Sequence, residues 1–244
     1  MKLPRTAAAV TDELHALLAN LADGKRLVLI GHSLGGLYAQ LYATRFPSEV
    51  AGLVLLDPAH QDYDQFVPSE LSENGSTGTF LSVINRGVDT ALATAPTRTI
   101  LRLLPAVRKY QKLYRGLFAH EMADWPEDLR DALIEQHGRI EWLAVGLQEA
   151  RTASLYDEVR GTTLPPDLPL IILASVGTDA FQDAVATETT RRLAAAEVEG
   201  RLNLYANLVA ASNHAELRQI DAGHVTLPFR HPEAIIQAIH DCCD

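Results

Sequence analysis

Apolar positions in the first part of the chain switch between helical spacing and short unbroken runs. From Thr6 to Ala22, Val10, Leu14, Leu17, Leu18 and Leu21 form one stripe and Gly24 follows, which predicts a helix with a glycine stop. Leu27 to Ile30 is apolar at every position, the pattern of a strand buried on both faces. Helical spacing returns from Gly36 to Phe46, with Leu37, Leu41 and Ala43 on one face. Val50 to Pro58, "VAGLVLLDP", predicts a second strand, and the next clean one comes only at Leu168 to Ser175. A helix-forming stretch from Asp183 to Glu199, a strand from Glu216 to Ile220 and a closing helix over "HPEAIIQAIHD" complete the pattern. Strands alternating with helices predict an α/β fold, a mostly parallel sheet with helices on both faces.

The interval from about His60 to Pro166 follows a different rhythm. Gly75-Ser76-Thr77-Gly78 reads as a loop, and helical spacing recurs over Thr99 to Ala119 and Pro126 to Arg151 with no strand between. The expected organisation is therefore a core of residues 1–59 and 167–244 interrupted by an inserted helical cap or lid, 60–166. Arg98, Arg102, Arg108, Lys109, Lys112 and Arg115 concentrate positive charge within that insertion. A solvated helix face is the plain reading; a lid surface meeting lipid or an acidic ligand is the sharper one.

Composition narrows the class. The chain has 244 residues, 47% hydrophobic and 21% charged, enough core for one domain and in keeping with a soluble globular protein. A formal charge of -10 argues against nucleic acid or an anionic membrane as partner. Met1 opens no leader pattern and no apolar run is of bilayer length, so a cytoplasmic location without a transmembrane segment is expected. Cys242 and Cys243 stand side by side near the C-terminus and suit neither a disulfide framework nor a zinc site; two thiols in a frayed tail are expected.

The chemistry concentrates at Gly31-His32-Ser33-Leu34-Gly35, a G-x-S-x-G between a predicted strand and a predicted helix. A sharp strand-to-helix turn lifts a serine hydroxyl above the end of a parallel sheet, where α/β folds place their ligands. Strand and helix then approach so closely that Gly31 and Gly35 are expected to be required there. The same turn directs the Leu34 N–H and the helix N-terminus at an oxyanion. A hydroxyl nucleophile needs a base, and the base an orienting acid. Among the histidines, His15, His120 and His137 lie in helical stretches, His32 in the turn, His231 and His240 in the last helix, and His214 before the last strand. His224 follows that strand on a loop, at the same sheet edge as Ser33, and is the expected base. Two carboxylates compete as the acid: Asp179, beyond "LPLIILASVGT", is the first choice, and Asp57, in "LVLLDP", the alternative.

The motifs "GHSLGG", "LVLLDPAH", "LPLIILA" and "AGH...HPEAI" resemble the α/β-hydrolase superfamily, in particular bacterial esterase-like members. The resemblance covers the chain apart from the interval 60–166, which corresponds to the family's variable cap. It implies Ser33 as nucleophile, His224 as base, an acid at Asp179 or Asp57, and no metal or organic cofactor. A serine at this position is unlike the aspartate of haloalkane dehalogenases and epoxide hydrolases. The resemblance also implies strands ahead of the first helix, with a His-Gly loop supplying half of the oxyanion hole; no segment here matches them. The Leu27 to Ile30 strand is therefore expected to lack one neighbour, and its exposed edge invites a second copy. The expected activity is cleavage of a small-molecule carboxylic ester through an acyl-enzyme on Ser33. The alternative is a catalytically impaired or non-catalytic α/β-hydrolase-like binding protein.

Overall fold

Four apolar runs align as a parallel sheet in the order β1 (Leu27–His32), β2 (Val50–Leu56), β3 (Leu170–Ser175) and β4 (Ala215–Ile220). The computed structural model describes residues 6–68, 111–112, 115–116, 118–137, 139, 153–178, 183 and 186–243. Among these, the helices used below are α1 (Ala7–Leu21), α2 (Leu34–Arg45), α3 (Glu127–His137), α4 (Ala153–Arg160), α5 (Glu188–Ala210), α6 (Leu227–Arg230) and α7 (Pro232–Asp241).

Parallel neighbours need crossovers, supplied by α2 between β1 and β2 and by α5 between β3 and β4. The unbroken apolar runs of β2 and β3 are divided between two cores by the alternation of side chains. Leu53, Leu55, Leu170 and Ile172 pack with Tyr42 and Ala43 of α2 and with Leu204 and Tyr205 of α5. Val54, Leu56, Ile171 and Leu173 pack on the opposite face with Leu227 of α6 and Ala238 of α7. Each leucine so buried is worth about 1.5–3 kcal/mol relative to exposure. Among the described residues β1 is the edge of the sheet, and its Ile30 is 48% exposed.

Three local expectations are corrected. Leu17 and Leu21 of α1 face solvent, because the helix meets its neighbours through Ala7 and Thr11, with Leu14 and Leu18 half-buried. The helix expected to close at Glu199 continues to Ala210 through Gly200, which is buried where a Cβ would strike the Phe66 carbonyl oxygen at 2.0 Å. Gly200 is thus a packing glycine inside α5. Cys242 is also buried, its Cβ position against Gly52 and its Sγ 3.7 Å from the Leu53 carbonyl oxygen. Burial, then the neighbouring thiol, pushes its pKa up to about 11. Cys243 is exposed.

The described parts of the interval 60–166 anchor at separate places. Leu155 and Val159 of α4 pack on Ala7, Leu37 and Leu41, and Glu158 accepts bonds from the first N–H groups of α1 at 3.2 and 2.6 Å. Phe118 and Met122 pack with Trp125, Val225 and Phe229, and the Trp125 indole donates to the Phe229 carbonyl at 3.1 Å. Of the basic stretch, Lys112 and Arg115 are exposed. Arg98, Arg102, Arg108 and Lys109, the Gly75–Gly78 loop and most of 138–152 lie outside the described residues.

Candidate active site

Ser33 joins β1 directly to α2, with no loop residue between strand and helix except itself. Its backbone sits at φ 53°, ψ -122°, a region that L-residues avoid at a cost of about 1–3 kcal/mol. Three main-chain bonds hold it there. Its N–H donates to the Leu56 carbonyl at 3.0 Å, and its own carbonyl accepts from Gly36 at 3.0 Å and Ala59 at 2.9 Å. The hydroxyl makes no capping bond to α2, so it is left for other use.

The close approach behind this turn falls on Gly31 and Gly36 rather than on Gly31 and Gly35. A Cβ on Gly31 would lie 2.6 Å from the Gly35 carbonyl oxygen, and one on Gly36 would lie 2.6 Å from Pro58 Cβ, whereas one on Gly35 meets nothing within 4 Å. Gly31→Ala and Gly36→Ala should therefore each cost about 1–3 kcal/mol, lowering Tm by several degrees. Gly35→Ala should hold or raise Tm, because alanine is the better helix former by about 1 kcal/mol. Thermal melts of the three variants check the ordering.

The other polar groups arrive from successive strand ends. Asp57 follows β2, Ser175 ends β3, and His224 lies in the loop after β4. His224 Nδ1–H donates to Asp57 Oδ2 at 2.6 Å, and His224 Nε2, left as the acceptor, lies 3.0 Å from Ser33 Oγ. The imidazole is partly exposed while the carboxylate beneath it has no exposed side-chain surface. His32, the residue before the serine, donates from Nε2 to the main-chain carbonyl of His224 at 2.8 Å, and the two rings lie 4.9 Å apart. The structure thus brings together Ser33, His224 and Asp57; Asp179 lies outside the described residues.

Sequence reasoning missed the groups behind Asp57. The Ser175 hydroxyl donates to Oδ2 at 2.6 Å and its N–H to Oδ1 at 3.3 Å. The Tyr205 phenol donates to Oδ1 at 3.3 Å and to the Pro58 carbonyl at 2.8 Å. Arg201 Nη1 also bonds Oδ2, making an ion pair inside the protein. Burial alone would raise the Asp57 pKa, but the Arg201 charge, then His224 and Ser175, hold it well below the ordinary carboxylate range. Burial, followed by the Asp57 charge, lifts the Tyr205 phenol well above its ordinary value. The arginine and tyrosine lie four residues apart on α5, one turn of the same face, a signal hidden by the glycine before Arg201.

Among the described residues no group of three or more His, Cys, Asp or Glu is spaced to hold a metal ion. No helix among them is long and apolar enough to cross a membrane.

Comparison with known proteins agrees with this architecture. A stretch of 56 residues is 50% identical to lipase LipV of Mycobacterium tuberculosis, covering 23% of this chain and 21% of that protein's length. Over its full length the chain superposes on a probable hydrolytic enzyme from Pseudomonas aeruginosa PAO1, with TM-score 0.52, 22% identity and 71% of that chain covered. It also superposes on Cfl2 from Burkholderia cenocepacia, with TM-score 0.60, 16% identity and 74% covered. These likenesses are to the fold. The alpha/beta hydrolase family model matches residues 3–238, so this chain belongs to the alpha/beta hydrolase family.

Proposed function

We propose that this hydrolase cleaves carboxylic esters through an acyl-enzyme on Ser33, with His224 as general base and Asp57 as the orienting acid. The observation that carries the reading is the unbroken line from Ser33 Oγ through the His224 ring to Asp57, at 3.0 and 2.6 Å, ending on a serine held in a strained turn. Ser33 Oγ attacks the acyl carbon while His224 Nε2 takes its proton. The ionised Asp57 keeps the imidazole in the correct tautomer and stabilises the imidazolium. Leu34 opens α2, so its N–H is one of the unpaired donors of the helix N-terminus and suits the oxyanion. The imidazolium then protonates the leaving alcohol, and a water activated by His224 releases the acid.

The interval 60–166 is proposed to be a cap over Ser33. Its Phe118–Trp125 segment packs on α6, three residues beyond His224, and α4 ties its other end to α1 and α2. A second reading, a hydrolase-like protein with impaired or no turnover, shares the same Ser33–His224–Asp57 geometry and differs from the first in turnover alone.

One experiment separates these readings: labelling with a small and a long-chain fluorophosphonate, alongside turnover of p-nitrophenyl esters. An esterase should label at Ser33 and turn over, with the cap making the two probes differ in rate. Labelling without turnover supports impaired catalysis, since a poorly stabilised oxyanion alone lowers kcat by about 10²–10³. No labelling at all overturns Ser33 as a nucleophile.

A further inference from the structure

We infer that Arg201 is a positioning residue of this site, holding Asp57 for His224 and setting the pH at which the serine becomes reactive. The inference rests on the triad reading above and assigns a role to a residue outside it. Asp57 Oδ2 is shared: His224 Nδ1 and the Ser175 hydroxyl each reach it at 2.6 Å, and Arg201 Nη1 bonds the same oxygen. A second nitrogen of the same guanidinium, Nη2, donates to the Ser175 main-chain carbonyl at 3.2 Å. The fork therefore clamps the end of β3 to the acid that follows β2.

Two further contacts keep the clamp in register. Gly200 lets α5 approach the Phe66 carbonyl, and the Tyr63 phenol, in the turn Tyr63–Gln65, donates to Glu197 at 2.6 Å. Glu197 lies one turn before Arg201 on α5, so the loop leaving Asp57 and the helix carrying the arginine are joined twice.

The electrostatic consequence follows from who faces the carboxylate. Arg201 is its one fixed cation among the described residues; Ser175 and Tyr205 are neutral donors, and His224 is cationic only when protonated. Glu197, one turn earlier on α5, adds negative charge near the arginine, and His32 faces His224 from β1. Without the guanidinium, Asp57 would exert its full negative charge on the imidazole and favour the protonated ring. Ser33 would then lose its base at a higher pH.

The test is the pH dependence of Ser33 labelling by a small fluorophosphonate in the wild type, Arg201→Met, Arg201→Lys, Asp57→Asn and the double variant Asp57→Asn/Arg201→Met. The acid limb should move up by about one pH unit in Arg201→Met. Arg201→Lys should return it toward its original position while the rate stays reduced, because lysine restores the charge without the fork. If Arg201→Met does not fold, the double variant, which buries no lone charge, decides. It should label as fast as Asp57→Asn alone, since an arginine acting only through Asp57 has nothing left to act on. An unmoved acid limb in a folded Arg201→Met, or a further loss in the double variant, overturns the inference. A wild type that does not label overturns the triad reading and this inference with it.

Discussion

Ser33→Ala should abolish both covalent labelling and ester turnover while leaving the protein folded. Losing a triad serine removes on the order of 10⁶ in kcat, because the acyl-enzyme route closes and only binding and oxyanion stabilisation remain. The hydroxyl makes no capping bond to α2, so its removal should cost the fold little. A second variant separates chemistry from strain. Ser33→Gly should be equally inactive yet more stable than Ser33→Ala by about 1 kcal/mol or more, because only glycine adopts φ 53°, ψ -122° without penalty. Intact-mass measurement after phosphonate treatment and paired thermal melts test both halves. Labelling of Ser33→Ala equal to wild type would remove Ser33 from the mechanism.

Asp57→Asn should fail in a different way, losing activity and stability together. Loss of the orienting carboxylate lowers kcat by about 10⁴ through the wrong imidazole tautomer. It also leaves the Arg201 guanidinium buried without its counter-charge, and breaking such a pair typically costs about 3–5 kcal/mol. The pH dependence has a definite sign. The Asp57 pKa is lowered in the folded protein, so its stabilisation is complete above the ordinary carboxylate pKa and is lost as pH falls through the folded value. The stability gap between wild type and Asp57→Asn should therefore be widest near neutrality and narrow on acidification. Urea melts at neutral and acidic pH, with kcat measured alongside, check this. Asp179→Asn is the control. A 10⁴-fold loss there, with Asp57→Asn active, would make Asp57 a structural acid and Asp179 the triad member.

The ambiguity between those two carboxylates shows where local pattern stops being informative. Each aspartate follows a strand, and each is a chemically adequate partner for imidazole. Nothing within a few residues of either says which strand lies beside β1. The sheet order places β2 between β1 and β3, and the bonds from Ser33 N–H to Leu56 and from Ala59 N–H to Ser33 then hold Asp57 next to the serine. The glycines followed the same rule. The G-x-S-x-G pattern pointed to Gly31 and Gly35, but contact with Pro58, from another strand's loop, transferred the second requirement to Gly36.

By itself the sequence determined the sheet-and-helix alternation, the strained serine turn and the histidine after the last strand. Each depends on side-chain period or on a few adjacent residues whose backbone demands are local. Tertiary structure alone decided that Arg201, Ser175 and Tyr205 converge on Asp57 and that α1 turns Leu17 and Leu21 to solvent. It also buried Cys242 against Gly52. These outcomes depend on which helix packs against which strand. Burial and charge pairing across more than a hundred residues leave no periodic trace in the chain.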